Sequence, residues 1–511
     1  MMLNLETRTS TESSQLKRSM CEVMVEIAKQ FPSPSILKDS QGIASTIPHL
    51  IEVARNLEIW IQDDSLFWIP TAIARFYKGA DIYSDAQKWY QEALTVLDNR
   101  LEANHPDVSA ALNNLAEMYR LTGAYHDAET LLLRSLKMDE YRQGKNHPDV
   151  ATSLHNLSVL YEDLGQLKKA ESLCEKALKI RQDNFGSSHV SVANTLSSLA
   201  SIYESQARLA EAECCYIKSL QIYHEVSGAD DSNAARILND LAVLYKNQCD
   251  FVKAELLYKR SLEINRKQMG EESLSFAVGL GNLASLYQAQ GNYSEAELLY
   301  QKSLSIRQQK LGKQHLVVAS SLNNLAELYR LQGQYEKAEP MFLKAIAIHQ
   351  HHFGKQHLSI AAITGNLAES YRQQERYDEA EPLQLKALEI YQNCLDSNHP
   401  DVGKAFNNLA VVYYSQERYL EAEPLYSQAL SIRQTNLGNS HPDVAQTLNN
   451  LAILHAKMKH FPLAKELLSK ALKIYQEALG HQHPQSLGTM NSLKRLNELI
   501  EEEKGTESAE E

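Results

Sequence analysis

The chain has 511 residues, of which 43% are hydrophobic and 23% are charged, and its formal net charge at pH 7 is −13. The apolar share is ordinary for a folded soluble protein, and the negative charge argues against nucleic acid as a partner, because nucleic-acid binders usually carry a basic stripe. No run of 18 apolar residues and no apolar signal-peptide stretch occurs, so neither a membrane span nor export is expected.

The six cysteines form no CxxC pair and show no regular spacing. Such cysteines are typical of free thiols in a reducing compartment rather than of a disulfide framework. The sequence therefore predicts a cytoplasmic protein.

Residues 1–62 are predicted to be an N-terminal helical segment with two weak heptads. Its apolar residues follow a 4-3-4 spacing: Leu16, Met20, Val23 and Ile27. The prolines at Phe31 to Ser35 are expected to end this helix, since proline disfavours helix in the residue before it. A second short helix is expected at about 47–61.

Residues 63–104 are predicted to be a degenerate capping repeat. All three tryptophans, Trp60, Trp68 and Trp89, lie in it or beside it. A terminal repeat of an array must cover one open apolar face, so an aromatic cluster here favours a cap or a docking layer.

A 42-residue unit then runs nine times without a gap. In the unit that starts at His315, apolar residues recur at helical spacing through Leu325 and Tyr329, Gly333 breaks the pattern, and a second stripe follows around Ala338. Each unit is therefore predicted to be a helix A, a turn and a helix B. The nine units are 105–146, 147–188, 189–230, 231–272, 273–314, 315–356, 357–398, 399–440 and 441–482.

Three positions of the unit carry most of this prediction. The leucine at the position of Leu325 and the alanine at that of Ala338 never vary, and an invariant alanine indicates a close helix–helix crossing. Helix B closes on a glycine in eight of the nine units, and Asp396 replaces the glycine in the unit 357–398. His-Pro-Asp-Val opens four units, where proline and aspartate suit a helix start.

After the last unit, His483 and Pro484 are predicted to begin a capping helix over residues 483–500. Its stripe of Leu487, Met490, Leu493, Leu496 and Ile500 should cover the final helix B. Residues 501–511 form a polar, acidic tail.

The run Leu322, Leu325, Ala326, Tyr329, Gly333, Tyr335, Ala338 and Glu339 resembles the signature of the tetratricopeptide repeat (TPR). The 42-residue period, the Leu-Asn-Asn-Leu-Ala runs and the His-Pro-Asp-Val starts resemble kinesin light chains in particular. The resemblance implies an all-α fold, a right-handed α-α superhelix (TPR solenoid) of 42-residue repeats, whose concave groove binds partner or cargo peptides. It also implies association with the cytoskeleton through a microtubule motor.

A kinesin light chain would bind the kinesin heavy chain through an N-terminal coiled coil. This chain departs from the family there, because two heptads that end at a Pro-x-Pro stretch are too few for a sustained coiled coil. Similar arrays occur in bacterial signalling proteins. The alternative function is therefore a sensor array that docks a separate nucleotide-binding partner by its tryptophan-rich end.

No signature of an enzyme is found: the sequence lacks a P-loop and the HExxH, GxSxG and kinase motifs. One histidine per repeat precedes helix A in eight places, but successive members should lie about 20 Å apart, too far to share a metal. They are interpreted as turn or capping residues. No catalytic residue, cofactor or metal is predicted.

The two positions before the fixed leucine of helix A are mostly asparagine. Asparagine is a mediocre residue in a helix interior, so its recurrence needs a reason. Side-chain amides offer a donor and an acceptor to an extended peptide, although they could instead bond to the neighbouring repeat. The candidate groove residues are Asn113, Asn114, Asn156, Asn239, Asn282, Asn323, Asn324, Asn366, Asn407, Asn408, Asn449 and Asn450.

A cation follows the fixed leucine by just over one turn in four repeats: Arg120, Lys246, Arg330 and Arg372. These side chains could hold acidic groups of a ligand. A solvated helix surface explains them equally well. The sequence as a whole predicts a non-enzymatic scaffold for protein or peptide partners.

Overall fold

The computed structural model describes residues 10–31, 44–80, 82–228 and 230–510. These residues form α-helices and two short 3-10 turns, with no β-strand among them, which confirms the predicted all-α solenoid of helix pairs. None of the described helices combines the length and the apolar character that crossing a membrane requires.

Among the residues that the structure describes before the repeats, four helices occur: α1 (Ser10–Lys29), α2 (Ile47–Asn56), α3 (Trp68–Gly79) and α4 (Tyr83–Arg100). Helix A of successive repeats is α5 (Pro106–Leu121), α7 (Pro148–Asp163), α9 (Val190–Ser205), α11 (Ser232–Asn247), α13 (Leu274–Ala289), α15 (Leu316–Leu331), α17 (Leu358–Gln373), α19 (Pro400–Ser415) and α21 (Pro442–Lys457). Helix B is α6 (Tyr125–Gln143), α8 (Leu167–Phe185), α10 (Leu209–Ser227), α12 (Phe251–Met269), α14 (Tyr293–Leu311), α16 (Tyr335–Phe353), α18 (Tyr377–Cys394), α20 (Tyr419–Leu437) and α22 (Phe461–Leu479). The last helix is α23 (Pro484–Glu510).

Contacts between residues divide the chain into two compact units. Unit 1 comprises Met1–Leu160, Lys179–Asn184 and Gln308–His315. Unit 2 comprises Tyr161–Leu178, Phe185–Arg307 and Leu316–Glu511.

The histidine before helix A is its N-cap. The Nδ1 atom of His399 accepts a hydrogen bond from the backbone N–H of Asp401 over 3.1 Å, and His189 does the same for Ser191. This bond satisfies one of the backbone donors that a helix start leaves open. The histidine ladder therefore has the capping role that the sequence indicated.

Each helix B that ends on the recurrent glycine does so in the left-handed region, as Gly438 does with φ of 84°. In the seventh repeat α18 instead ends with extended backbone at Leu395, so Asp396 stands at the glycine position without a positive φ. The turn between helices A and B is less selective. Five non-glycine residues adopt positive φ there: Ala207, Cys249, Glu375, Glu417 and Lys459.

The two invariant positions form the core of the repeats. All nine invariant alanines of helix B have 0% exposure, and all nine leucines of helix A have 5% or less. The alanines leave no accessible surface on which a larger side chain could be placed, which explains why the position does not vary.

In unit 1, helices α1 to α6 share one hydrophobic core. Trp89 is buried in it, while Trp60 and Trp68 are partly buried and pack against it. The helix predicted at 47–61 ends earlier, at Asn56, and a 3-10 turn at Glu58–Trp60 follows.

The heptad interpretation of α1 is wrong for Val23, which is 59% exposed. The buried residues are Cys21, Met24, Val25 and Ala28, because α1 packs against α2 and α3 of its own chain. The apolar face of this helix is thus already used inside unit 1. The prolines at 32 and 34 lie outside the described residues.

At the other end, α23 packs Leu493, Leu496 and Ile500 against the last helix pair. It covers Ala464 and Leu468 of α22. The helix continues to Glu510, beyond the predicted end near residue 500.

Candidate peptide-binding face

Within each compact unit, two columns of side chains run across the A helices just before the fixed leucine. We call the first the inner column (Asn113, Asn239, Asn323, Asn407 and Asn449) and the second the outer column (Asn114, Asn156, Asn282, Asn324, Asn366, Asn408 and Asn450). Together they are the amide face. In the inner column Asn407 is buried and the others are half-buried; in the outer column Asn324 is exposed and the others are half-buried.

The two columns are hydrogen-bonded to each other between neighbouring repeats. The outer asparagine of one repeat donates through Nδ2 to Oδ1 of the inner asparagine in the repeat before it. In unit 1, Asn156 donates to Asn113 over 2.8 Å. In unit 2, the pairs are Asn282 to Asn239 (2.8 Å), Asn366 to Asn323 (3.1 Å) and Asn450 to Asn407 (3.0 Å).

Because of this pairing, the inner column bonds within the fold and the outer column keeps polar groups for a ligand. An asparagine amide has two N–H donors and a carbonyl oxygen with two lone pairs. Asn113 donates to Ser109 O and Ser135 Oγ and accepts from Asn156, so its donors are fully used within the fold. The outer Asn156 keeps its carbonyl oxygen and one N–H for another molecule. The inner column therefore positions the outer column.

Four of the nine repeats lack the inner amide, because His155, Ser197, Gly281 and Gly365 stand at that position. Of these, Gly281 and Gly365 stand opposite Asn324 and Asn408 of the following repeats. These two outer amides have no inner-column asparagine to bond to. Asn324 and Asn408 therefore keep more side-chain N–H groups for a ligand than the paired outer asparagines do.

The cations that follow the fixed leucine are held by groups of the same chain. Arg330 and Arg372 each pair bidentately with the glutamate three residues earlier, and Arg372 does so over two bonds of 2.7 Å. Lys246 donates to Ser285 Oγ over 3.1 Å. Arg120 is half-buried near the end of α5 in unit 1. Residues three apart are neighbours on a helix, which is why Glu327 and Glu369 neutralise two of the four cations.

Toward the N-terminal repeats of unit 2 the same row is acidic. Glu204 accepts a hydrogen bond from Asn247 Nδ2 over 2.9 Å, and Ser201 donates to Glu162 over 2.6 Å. Burial raises the pKa of Glu204, and the neighbouring Asp240 adds to the rise. This stretch would repel acidic groups of a ligand.

A cation that the sequence analysis missed comes from helix B. Arg307 is 9% exposed, and its Nη1 donates to Ser321 Oγ over 2.5 Å. A Cβ atom added at Gly281 would lie 3.7 Å from Nη2, so the guanidinium reaches the place where an inner asparagine would stand. Burial lowers the pKa of Arg307 to about 10, and no carboxylate of the described residues pairs with it.

The equivalent arginine three repeats later is better satisfied. Arg433 is 3% exposed and its Nη1 donates to the carbonyl oxygen of Asp443 and to Thr447 Oγ1, both over 2.8 Å. Arg307 is thus the buried cation of unit 2 with the larger unmet need for an anion.

Among the described residues, no three His, Cys, Asp or Glu side chains are arranged to hold a metal ion. The six cysteines are free thiols. The site offers hydrogen bonding along a row of amides and the positive charge of Arg307, which has no carboxylate partner in the described part of the chain.

The comparisons with known proteins agree with the helix pairs. A family model of the tetratricopeptide repeat matches residues 66–140, 191–267, 275–351, 359–435, 401–477 and 443–504. Two further tetratricopeptide repeat models match residues 150–191 and 324–393. No curated protein matches the chain.

Several solved structures are similar in fold. BtubC (BKLC) from P. vanneervenii is 24% identical over 46% of this chain and 91% of its own, with a TM-score of 0.36. A Podosopora anserina protein described as a kinesin light chain with nearly identical TPR-like repeats is 25% identical over 40% and 97%, with a TM-score of 0.34. A Rap protein complexed with competence and sporulation factor is 15% identical over 72% and 98%, with a TM-score of 0.49.

Proposed function

Because the chain belongs to the tetratricopeptide repeat family, we propose that it is a non-enzymatic scaffold that binds extended segments of partner proteins on its amide face. Capture of cargo proteins, as in kinesin light chains, is the form of this role that the sequence of the repeats favours. The packing of α1 within unit 1 gives no support to a kinesin heavy chain as the partner.

The pairing of the two asparagine columns carries the proposal. Each bond, such as that from Asn366 to Asn323, fixes one amide while leaving a carbonyl oxygen and an N–H for a second molecule. An extended peptide presents the complementary groups along its backbone. Fixing the amides beforehand lowers the side-chain entropy lost on binding.

The buried cation indicates the chemistry of the segment in unit 2. Arg307 has no carboxylate of its own, and an uncompensated buried charge is costly. An acidic side chain of the ligand beside Asn324 would supply the missing anion. The preferred segment is therefore acidic where it crosses Gly281.

The experiment is an affinity pull-down with mass spectrometry that compares the native chain with a triple variant, Asn324→Ala, Asn366→Ala and Asn408→Ala. The expected result is loss of the captured partners with unchanged helicity and melting temperature. Asn393→Ala is the control, because Asn393 is an exposed helical asparagine that lies on helix B. Unchanged capture by the triple variant would reject the amide face as the binding site.

A second candidate role is docking by the N-terminal helices of unit 1, as a sensor array would require. A cavity of about 350 Å³ opens beside Trp89, with Arg55 over the indole ring at 5.6 Å and Glu58 and Glu92 at its lining. It is large enough for one apolar side chain of a partner.

Filling the cavity tests this role. Thr95 lines it and bonds to the carbonyl oxygen of Gln91, so Thr95→Trp should block a partner that docks there. Thr130→Trp is the control. The Thr130 hydroxyl on α6 donates to the carbonyl oxygen of His126, four residues earlier, as Thr95 does to that of Gln91, but Thr130 does not line the cavity. Capture that survives Thr95→Trp and fails in the asparagine variant favours the amide face.

A further inference from the structure

Three histidines of unit 2 touch the ends of A helices that lie far earlier in the chain. His399 Nε2 is 3.0 Å from the carbonyl oxygen of Asp163, 236 residues away. His441 hydrogen-bonds to the backbone of Ser205, and His483 to that of Asn247, at the same spacing. Asp163, Ser205 and Asn247 are the last residues of α7, α9 and α11. The backbone carbonyl group of a helix's last residue has no N–H donor within the helix, so each of these three needs a donor from elsewhere.

The same imidazoles are also N-caps. Nδ1 of His399 accepts from Asp401 N–H over 3.1 Å, that of His441 from Asp443 N–H over 3.1 Å and that of His483 from Gln485 N–H over 3.3 Å. A ring nitrogen that accepts carries no proton, so Nε2 must carry it and donate to the distant carbonyl oxygen. Both bonds exist together only in the neutral imidazole.

Close packing surrounds these bonds. A Cβ atom added at Gly165 would lie 2.6 Å from Cδ of Pro400, so only glycine fits there without a shift. Cys249 Sγ lies 3.5 Å from His483 Nε2. His399 is 7% exposed. By contrast, His189 is an exposed N-cap at the equivalent position of an earlier repeat.

We propose that His399, His441 and His483 form a proton-sensitive latch that closes unit 2 on itself by joining α19, α21 and α23 to the ends of α7, α9 and α11. Protonation leaves the Nε2–H bond to the distant carbonyl group in place, but it puts an N–H at Nδ1 against the backbone N–H that this atom caps. The charged imidazole is then unfavourable in its buried position, and the helix start must move away from it. Acid therefore opens the latch.

At His441 burial outweighs the nearby carboxylate, which by itself would favour the protonated imidazole. Asp443 and Arg433 face His441, Asp401 Oδ2 lies 3.9 Å from His399 Nδ1, and the Cys249 thiol faces His483. Burial lowers the pKa of His441 and of His483 below 6.5, against the opposing effects of Asp443 and the backbone bonds. A lowered folded-state pKa means that this stability is complete above about pH 6.5 and is lost as the pH falls through the lowered values.

The first experiment replaces the three histidines together, as His399→Asn, His441→Asn and His483→Asn. Asparagine keeps the N-cap, so the helices should form, but its shorter side chain no longer reaches the distant carbonyl group. Small-angle scattering should give a larger radius of gyration for the variant at pH 7.5, with no further increase at pH 5.5, whereas the native chain should expand only on acidification. His189→Asn, a cap outside the latch, should behave like the native chain. A triple variant with native dimensions, or one that still expands in acid, overturns the proposal.

The second experiment adds a methyl group at Gly165, where it would clash with Pro400. Gly165 and Gly333 both have positive φ, 66° and 72°, so alanine strains the backbone similarly at each. Only at Gly165 does the new Cβ meet Pro400, since nothing lies within 4 Å at Gly333. Gly165→Ala should expand the chain and speed the labelling of Cys249 by a maleimide roughly fivefold relative to Cys394, and Gly333→Ala should do neither. Equal labelling ratios in the two variants would contradict a latch at this position.

Discussion

The side-chain Nδ2 of Asn366 in α17 donates a hydrogen bond of 3.1 Å to the side-chain Oδ1 of Asn323 in the repeat before it. The bond makes two residues with the same side chain unequal, because one faces the fold and the other keeps groups for a ligand. Asn323 is therefore a positioning residue, and Asn366 is the residue that would touch the partner.

Replacing the positioning residue should weaken binding without removing a ligand contact. In Asn323→Ala the Asn366 amide loses its anchor and regains rotamer freedom, so partner affinity should fall by roughly fivefold. Asn323→Asp keeps a carbonyl-type acceptor and should restore most of the affinity. The measurement is the dissociation constant of the captured partner by calorimetry. An Asn323→Asp variant as weak as Asn323→Ala would assign Asn323 a direct contact instead.

The glycine at an inner position should be replaceable. Gly365 lies inside α17, and a Cβ atom there would meet only Gln384 Oε1 at 3.7 Å, an ordinary contact. Gly365→Ala should raise the free energy of unfolding by about 0.5–1 kcal/mol, because glycine loses more backbone entropy on folding than alanine. Gly279→Ala is the control: its Cβ would lie 2.7 Å from Leu262 Cδ1, so urea unfolding should show no gain. A stabilised Gly279→Ala would contradict the packing argument.

Removing the positive charge of Arg307 should abolish binding of an acidic peptide without lowering the free energy of unfolding. Arg307→Met replaces an uncompensated charge by an apolar chain, so the free energy of unfolding should stay level or rise by about 1 kcal/mol. Binding of a hexaglutamate peptide, measured by fluorescence anisotropy, should be lost. Arg433→Met should instead lower stability by about 1–3 kcal/mol, since Thr447 and the Asp443 carbonyl group lose their donor. Hexaglutamate binding that survives Arg307→Met would reject the proposed preference for an acidic segment. That result would not bear on the amide face itself.

The sequence predicted the helix pairs because leucine, alanine and glycine recur in phase, and local propensity and packing agree at each of them. It placed Asn323 and Asn366 on one face, but it did not predict their bond, since the bond depends on how one repeat lies against the next. Arg307 was not predicted because groove residues of this repeat class are expected on helix A. A signal existed, however: an Ile-Arg-Gln run places Arg181, Arg307 and Arg433 directly after a residue of the helix B stripe.

The invariant alanine gives a stability prediction with a clear control. Ala338 has 0% exposure at the crossing of α15 and α16, so Ala338→Leu must push the helices apart. The free energy of unfolding should fall by about 1–3 kcal/mol, the usual cost of overpacking. Ala362→Leu, at an exposed position of α17, should change it by less than about 0.5 kcal/mol. Thermal and urea unfolding of the two variants provide the comparison, and equal values would show that the crossing has room.

A buried histidine outside the latch should make the fold acid-sensitive in its own right. His349 on α16 is 5% exposed, and its Nδ1 has no hydrogen-bond partner in the described structure. Burial, with His357 and His352 adding to the effect, lowers the pKa of His349 to about 4. The folded chain keeps this ring neutral, while the unfolded chain takes up a proton below about pH 6.5. The stabilising difference is therefore complete above pH 6.5 and is lost as the pH falls toward 4.

His349→Leu removes the group that takes up this proton and places an apolar side chain at the buried position beside Phe353. The fall in melting temperature between pH 7 and pH 4.5 should be smaller in this variant than in the native chain, while the latch histidines still contribute their share. His224→Leu, at an exposed position of α10, should leave the native pH dependence unchanged. If the His349 and His224 variants melt with the same pH profile, the His349 ring is not kept neutral in the folded chain.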